Sequence, residues 1–439
     1  MAPRFAALAL CLLALAACSP IPVSVEDLLD APRLSEEQYQ LEKALREQQE
    51  QEIKLKYPQS GSYRSAFTFH DIDGDGVDEA IVLHSYQSGG NAQITVMDRQ
   101  GDQWLVEKTH PGLSPDVDFI RFEELLDPGQ TTIVIGWRPE GSERIVAAYR
   151  YHDREFTLLG SEDYAQLAIG DYNGDGKSEL LIVTAENAAY YSLLYMGEKN
   201  GLLDVLDSVS LGRRITGFQP PVSGEVAPGV FGIALDAWND REELCTMAAY
   251  LAEEKLVLPL NAGDGALLTQ TLRPGGRGCV YAQDVNGDGV IDIPTQAPFP
   301  GSEAIEEDNR LCVTTYMNLD AGGFTPVLRA FVDTEAGYRL TLPEEWFAGE
   351  ESVTATRRAG SGEITFFLYG GGDITDRSRE LLRIQVVDLQ APPRQFSPDS
   401  YFLMGRRGSF EYYAALPSGK GEEGYSLTQE QVLRLFQLL

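Results

Sequence analysis

Oxygen-bearing side chains recur in this chain at a fixed spacing. Asp71, Asp73, Asp75 and Glu79 lie in DIDGDGVDE. Asp171, Asn173, Asp175 and Glu179 lie in DYNGDGKSE. Asp284, Asn286, Asp288 and Asp292 lie in DVNGDGVID. The shared pattern is D-x-[DN]-G-D-G-x-x-[DE], with oxygens at positions 1, 3, 5 and 9. Such a set suits a hard cation, and Ca2+ takes about six to eight carboxylate, amide, carbonyl or water oxygens. The backbone carbonyl at position 7, from Val77, Lys177 or Val290, adds one more. A lysine is harmless there because only its carbonyl would ligate. Gly76, Gly176 and Gly289 occupy position 6, where a sharp turn is cheap only for glycine. Mg2+ fits less well, because it retains water and avoids all-protein cages. D-G and N-G pairs also build metal-free turns. A turn needs only two or three such residues, whereas these three loops agree at all four oxygen positions.

The loops end their ligand set at position 9, and short β-rich runs flank them: AFTFH and AIVLH around the first, LLIVT after the second. This predicts strand–loop–strand units, unlike the helix-flanked, twelve-residue EF-hand loop. Residues 119–137 and 217–235 repeat the same strand–turn–strand shape without the acidic ligands. The expectation is five units of about 50 residues with a small insertion near 239–278, alternate units keeping the loop. A period of roughly 40–50 residues with several short strands suggests propeller blades. Two stacked β-sandwiches are the alternative. On these residues the chain resembles FG-GAP/VCBS-type repeats over about residues 60–332. The resemblance implies a calcium-loop β-propeller of the kind seen in integrin alpha heads and bacterial surface proteins.

Residues 1–17 hold one basic residue, Arg4, and a run of Ala and Leu too short to span a bilayer but suited to a signal-peptide core. The run ends in Leu15-Ala16-Ala17-Cys18. This resembles the bacterial lipobox and implies a diacylated Cys18 at the mature N-terminus, a stable anchor because two chains share one residue. Residues 18–60 read as a tether and a polar helix, with Ser35 and Gln38 as a capping box and Leu41 and Leu45 on one face. Such a helix would pack lightly on the propeller or act as a stalk.

The formal net charge of −32 argues against a nucleic-acid partner, since phosphate binding needs a basic surface. Cys245, Cys279 and Cys312 remain beside Cys18. Cys279 and Cys312 both lie in strand-like runs, so a disulfide and buried free thiols are both open readings. The lack of a C-x-x-C pair gives zinc or redox chemistry no support.

After Asp333 the texture changes. GYRLTLPEEWF opens a segment of strands, and LTQEQVLRLFQLL closes the chain as an amphipathic helix with Thr428 and Gln431 as its cap. Residues 333–439 therefore read as a small α+β domain. The GYRLTLPEEW opening is similar to the start of PsbP-like domains, which implies an accessory binding role. The four histidines, His70, His84, His110 and His152, sit in no metal or nucleophile motif. Arg406-Arg407 reads as a strand-edge or salt-bridge pair, although it could meet an anionic ligand. The resulting expectation is a mainly β protein, a propeller of about five blades (61–332) followed by the α+β domain. It is lipid-anchored, extracytoplasmic, calcium-stabilised and not an enzyme, and it binds a protein or glycan partner. Two alternatives are an extracytoplasmic hydrolase acting on cell-wall glycan or peptide, and a calcium-responsive envelope sensor.

Overall fold

The computed structural model describes residues 35–439, except 102, 188–189, 214, 260–270, 272, 274–278, 307–308, 321–322, 350, 359–360, 392–399 and 419–421. Residues 1–17 and Cys18 lie outside the described residues. The chain is mainly β and forms six antiparallel sheets, nearly in chain order.

The first sheet holds Ile53–Leu55, Phe67–His70, Glu79–Tyr86, Gln93–Gln100 and Gln103–Pro111. The second holds Asp116–Glu123, Thr132–Arg138, Arg144–His152 and Glu155–Tyr164. The third holds Gln166–Gly170, Glu179–Asn187, Tyr190–Lys199 and Leu202–Arg213. The fourth holds Ile215–Phe218, Val222–Ala227, Val230–Asn239, Leu244–Ala252 and Lys255–Val257. The fifth holds Ile293–Pro298, Cys312–Asp320, Gly323–Asp333, Tyr338–Thr341 and Phe436–Leu438. The sixth holds Ser352–Arg357, Ile364–Tyr369, Glu380–Asp388, Phe402–Arg407 and Phe410–Ala415.

Each sheet packs on the next. Ile81, Leu83, Ile94 and Val96 meet Ile133, Ile135, Trp137 and Tyr149 between sheets one and two. Val134, Val146 and Ala148 then meet Leu180, Ile182 and Met196 between two and three. Leu181, Val183 and Leu193 meet Ile233, Leu235 and Met247 between three and four. Further clusters join four to five through Ala234, Ala248, Ile291 and Leu319, and five to six through Phe331, Tyr338, Phe366 and Tyr412. A strand covered on both faces reads as a continuous apolar run, which is why AIVLH and LLIVT lack alternation. Among the described residues, no hydrophobic cluster joins the first sheet to the fifth or sixth.

The polar helix is more than a light contact. Helix α1 (Glu36–Gln48) carries the Ser35/Gln38 capping box and seals Leu41 and Leu45 at 0% exposure against Phe67, Ala80, Val82 and Met97 of the first sheet. The segment expected as an insertion near 239–278 instead supplies strands to the fourth sheet, because Leu244–Ala252 and Lys255–Val257 pair there. Strand pairing also runs across residue 333: Tyr338–Thr341 pairs with Gly323–Asp333. Besides a short helix α2 (Glu345–Ala348), the chain ends in helix α3 (Gln429–Leu435), which keeps the Thr428/Gln431 cap but stops at Phe436. There the backbone turns extended, and Phe436, Gln437 and Leu438 pair with Leu340, Arg339 and Tyr338. The expected apolar helical face is therefore split. Val432 is buried, Leu433 is exposed, and Phe436 serves the sheet.

Cys312 is a free thiol, so Cys279 and Cys312 do not pair. Arg406 pairs with Glu411 at 2.7 Å, and Arg407 donates to the Leu439 carbonyl, which leaves this doublet engaged within the fold. His70 stacks on Phe122, and His84 is fully buried beside Thr95.

Candidate metal centre

The three acidic phrases form hairpin loops with a shared hydrogen-bond frame. Position 9 pairs with the residue before position 1: His70 with Glu79, Gly170 with Glu179, Gln283 with Asp292. Each loop thus spans a strand pairing closed by its last acidic residue. The Asp at position 1 accepts two backbone N–H groups, and that bond pair fixes the turn. Asp71 takes Gly74 at 2.7 Å and Gly76 at 2.9 Å. Asp171 takes Gly174 and Gly176 at 2.7 and 3.0 Å, and Asp284 takes Gly287 and Gly289 at the same distances. Positions 3 and 5 each accept the N–H two residues on, through Asp73, Asn173 and Asn286 and through Asp75, Asp175 and Asp288. These Asx turns orient the remaining oxygens. The position-6 glycines have φ of +88°, +86° and +90°.

Glu79 and Glu179 open a strand and Asp292 immediately precedes one, and all three are buried: Glu79 at 4%, Glu179 at 3% and Asp292 at 0% exposure. Each accepts the N–H of position 2, from Ile72, Tyr172 or Val285, and Glu179 is further lowered by the Asn173 N–H. Carboxylate oxygens of Asp71, Asp73 and Glu79 lie within 4.8 Å of one another, as do those of Asp171, Asp175 and Glu179. Burial, opposed by the Ile72 N–H and reinforced by Asp73, Asp75 and Asp71, pushes Glu79 up to about 7. Burial, opposed by the Tyr172 N–H and reinforced by Asp175 and Asp171, likewise pushes Glu179 to about 7. Asp292 rises to about 6 through burial, with Asp288 and Asp284 adding to it against the Val285 N–H and the charge of Arg339. Each loop sets one buried carboxylate beside exposed ones such as Asp75, Asp175 and Asp288, and a buried anion held among like charges is costly. Among the described residues, no Lys or Arg side chain bonds to a carboxylate of these loops. The donor set is all oxygen, and Asp292 Oδ1 is buried without a partner. These residues fit a hard divalent cation. In the second loop the Lys177 N–H donates to Asp175, and its carbonyl at position 7 remains available as it is for Val77 and Val290.

Each loop also touches a neighbouring sheet that has no acidic loop. Thr131 of the second sheet's connection donates to the Asp71 carbonyl at 3.0 Å. Ser178 donates through its N–H to the Glu124 carbonyl and through its hydroxyl to Glu123. Ile291 donates to the Glu225 carbonyl of the fourth sheet. Beside the first loop, a cavity of about 230 Å³ is lined by Asp73, Gly74, Gln130, Thr131, Tyr151 and His152.

Sequence reasoning missed the buried tyrosines near these loops. Burial and the charge of Glu179 raise the Tyr195 hydroxyl to about 12. The Tyr151 hydroxyl is raised by burial and by Glu107, Glu79 and Asp73, and it has no partner. Tyr316 is raised by burial, with Asp292 contributing. The missed signal is a methionine. Met97, Met196 and Met317 each face the first residue after position 9, namely Ala80, Leu180 and Ile293. Tyr195 and Tyr316 immediately precede two of them. Where the first sheet has Val96 at that place, the second sheet brings Tyr151 instead.

No family model matches the chain, and no curated protein does. It is similar in structure to the Bacillus licheniformis rhamnogalacturonan lyase PL11, with a TM-score of 0.32 and 12% identity over 73% of this chain and 74% of that one. It is also similar to the polysaccharide lyase Uly1, with a TM-score of 0.31 and 9% identity over 82% and 92% of the two chains. Saccharomyces cerevisiae Sqt1 gives a TM-score of 0.29 at 9% identity, over 82% and 86%. The expectation that the chain is not an enzyme is therefore withdrawn, since polysaccharide lyases stand among these structures. Likenesses this distant transfer no activity to the chain either.

Proposed function

We propose that this chain is a calcium-binding, lipid-anchored protein of the bacterial envelope. Its first five sheets act as blades of an FG-GAP/VCBS-type propeller, and the sheet array presents a surface to an extracytoplasmic protein or glycan. Supporting this reading above all is the shared hydrogen-bond frame of the three loops, which seats a buried carboxylate at each position 9 and, in the first two loops, gathers it with two further carboxylates. Ca2+ would be held by Asp71, Asp73, Asp75, Glu79 and the Val77 carbonyl in the first loop. Asp171, Asn173, Asp175, Glu179 and the Lys177 carbonyl would hold it in the second, and Asp284, Asn286, Asp288, Asp292 and the Val290 carbonyl in the third. The cation would neutralise the clustered carboxylates and stiffen each hairpin by mass action. Anchoring rests on Leu15-Ala16-Ala17-Cys18, and exclusion of nucleic acid on the net charge of −32.

The test is calorimetric titration of the metal-free mature chain with calcium up to several millimolar, followed by a panel of acidic and neutral glycans read for both binding and product release. About three calcium equivalents are expected. No heat, together with an unchanged melting temperature, would overturn the calcium reading. A glycan that is cleaved would add an activity to the binding surface.

A further inference from the structure

The third loop is incomplete by its own residues. It ends in Asp292, one methylene shorter than Glu79 or Glu179. Among the described residues, its three carboxylates do not converge as those of the other loops do. The amide of Asn286 also holds one oxygen of Asp288, at 2.8 Å. Yet Asp292 is fully buried, with Oδ2 on the Val285 N–H at 2.8 Å and Oδ1 unpartnered.

A second orphan oxygen lies across the ladder. Ile293 pairs with Met317, so the next step places Asn318 opposite Asp292. Directly opposed residues on antiparallel strands project to one face, with Cβ atoms about 5 Å apart. Asn318 Oδ1 is buried and has no partner, and the Asn318 side chain bonds to the Asp288 carboxylate. The Arg339 guanidinium lies near Asp292 and donates to the Val285 carbonyl at 2.8 Å, yet it bonds to neither oxygen, and two lone acceptors side by side are costly unless a cation joins them. The corresponding position in the third sheet is Gly197, which has no side chain to offer. There Glu179 reaches the cluster unaided.

We propose that Asn318 is a cross-strand ligand of the third loop, its amide oxygen completing with Asp284, Asn286, Asp288, Asp292 and the Val290 carbonyl a site for Ca2+. An amide carbonyl is an ordinary calcium donor. The amide N–H, already on Asp288, holds the oxygen in place. This inference rests on the calcium reading of the loops and adds a residue that the nine-residue motif does not contain.

The test isolates the third site in a full mature chain carrying Asp73→Ala and Asp175→Ala, and titrates it with calcium alone. Asn318→Ala is expected to weaken the remaining site by about 10- to 100-fold. Asn318→Asp should tighten it, because affinity follows ligand charge. Asn318→Asp should also lower the melting temperature in chelator while raising it in calcium, an inversion that a packing role would not produce. An unchanged affinity in Asn318→Ala would overturn the proposal, as would an Asn318→Asp that fails to tighten binding. If Asn318→Ala does not fold, Asn318→Asp alone decides. Should the unmutated chain take up no calcium at all, the loop reading itself fails, an outcome separable from failure of Asn318 alone.

Discussion

Under the calcium reading, the raised glutamates would make cation binding and pH interdependent. Glu79 and Glu179 move from 4.5 to about 7 in the metal-free fold. A carboxylate whose folded value exceeds its unfolded one contributes stability below pH about 4.5, and that contribution is lost as pH rises through about 7. Between pH 5.5 and 8 the loss is about 2 kcal/mol for each glutamate, or about 4 kcal/mol for both, at 1.36 kcal/mol per pKa unit. For a cooperative unit of this size that is about 5 °C in melting temperature. His84 acts in the opposite direction. Burial lowers it from 6.5 to about 4, so it adds stability as pH rises through 6.5. That contribution is common to metal-free and calcium-loaded protein, and the difference between the two cancels it. The assay is thermal unfolding in chelator and in 5 mM calcium at both pH values. The calcium increment should be larger at pH 8 by about 5 °C, and calcium uptake at pH 6 should release protons. Equal increments at both pH values, or uptake without proton release, would refute the reasoning.

Arg273→Ala should cost about 3–5 kcal/mol in urea unfolding, because it strands the buried Asp236 that it holds at 2.6 Å. Replacing both partners by leucine should recover much of that loss. Gly76→Ala should cost about 1–2 kcal/mol and, under the calcium reading, weaken cation binding at the first loop only. At φ +88° no atom lies within 4 Å of an added Cβ, so the whole effect is backbone strain; an affinity equal to the parent's would contradict this. Leu41→Ala should lose about 2–5 kcal/mol by opening a cavity under helix α1. Limited proteolysis should then cut the first sheet sooner than the sixth, and unchanged cleavage would speak against a clamping helix.

What the sequence made legible is what local physics decides. The Asx bonds of the loops join residues no more than five apart, and both capping boxes are local, so the pattern carries them. The partners that complete the loops come from other strands and from neighbouring sheets, and no spacing rule encodes them. Thr131, Glu124 and Glu225 meet the loops through backbone or hydroxyl groups that almost any sequence could supply. The C-terminal stretch misled for a related reason. An apolar stripe at helical spacing and a short strand look alike over three residues, and pairing with Tyr338–Thr341 decides between them.

The same non-local contacts change what a bound cation would do. Loops occur on sheets one, three and five, and each bonds to sheet two or four. A cation fixing the first loop also fixes the Asp71 carbonyl that Thr131 holds, and one fixing the second loop steadies Ser178 against Glu123. Under the calcium reading, the ions therefore stiffen joints between sheets as well as single hairpins. Their removal should loosen the ligand-free second and fourth sheets too. Amide exchange in chelator discriminates: faster exchange at Thr132–Arg138 and Val222–Ala227 supports coupled joints, whereas faster exchange confined to the loops leaves the cations a purely local role.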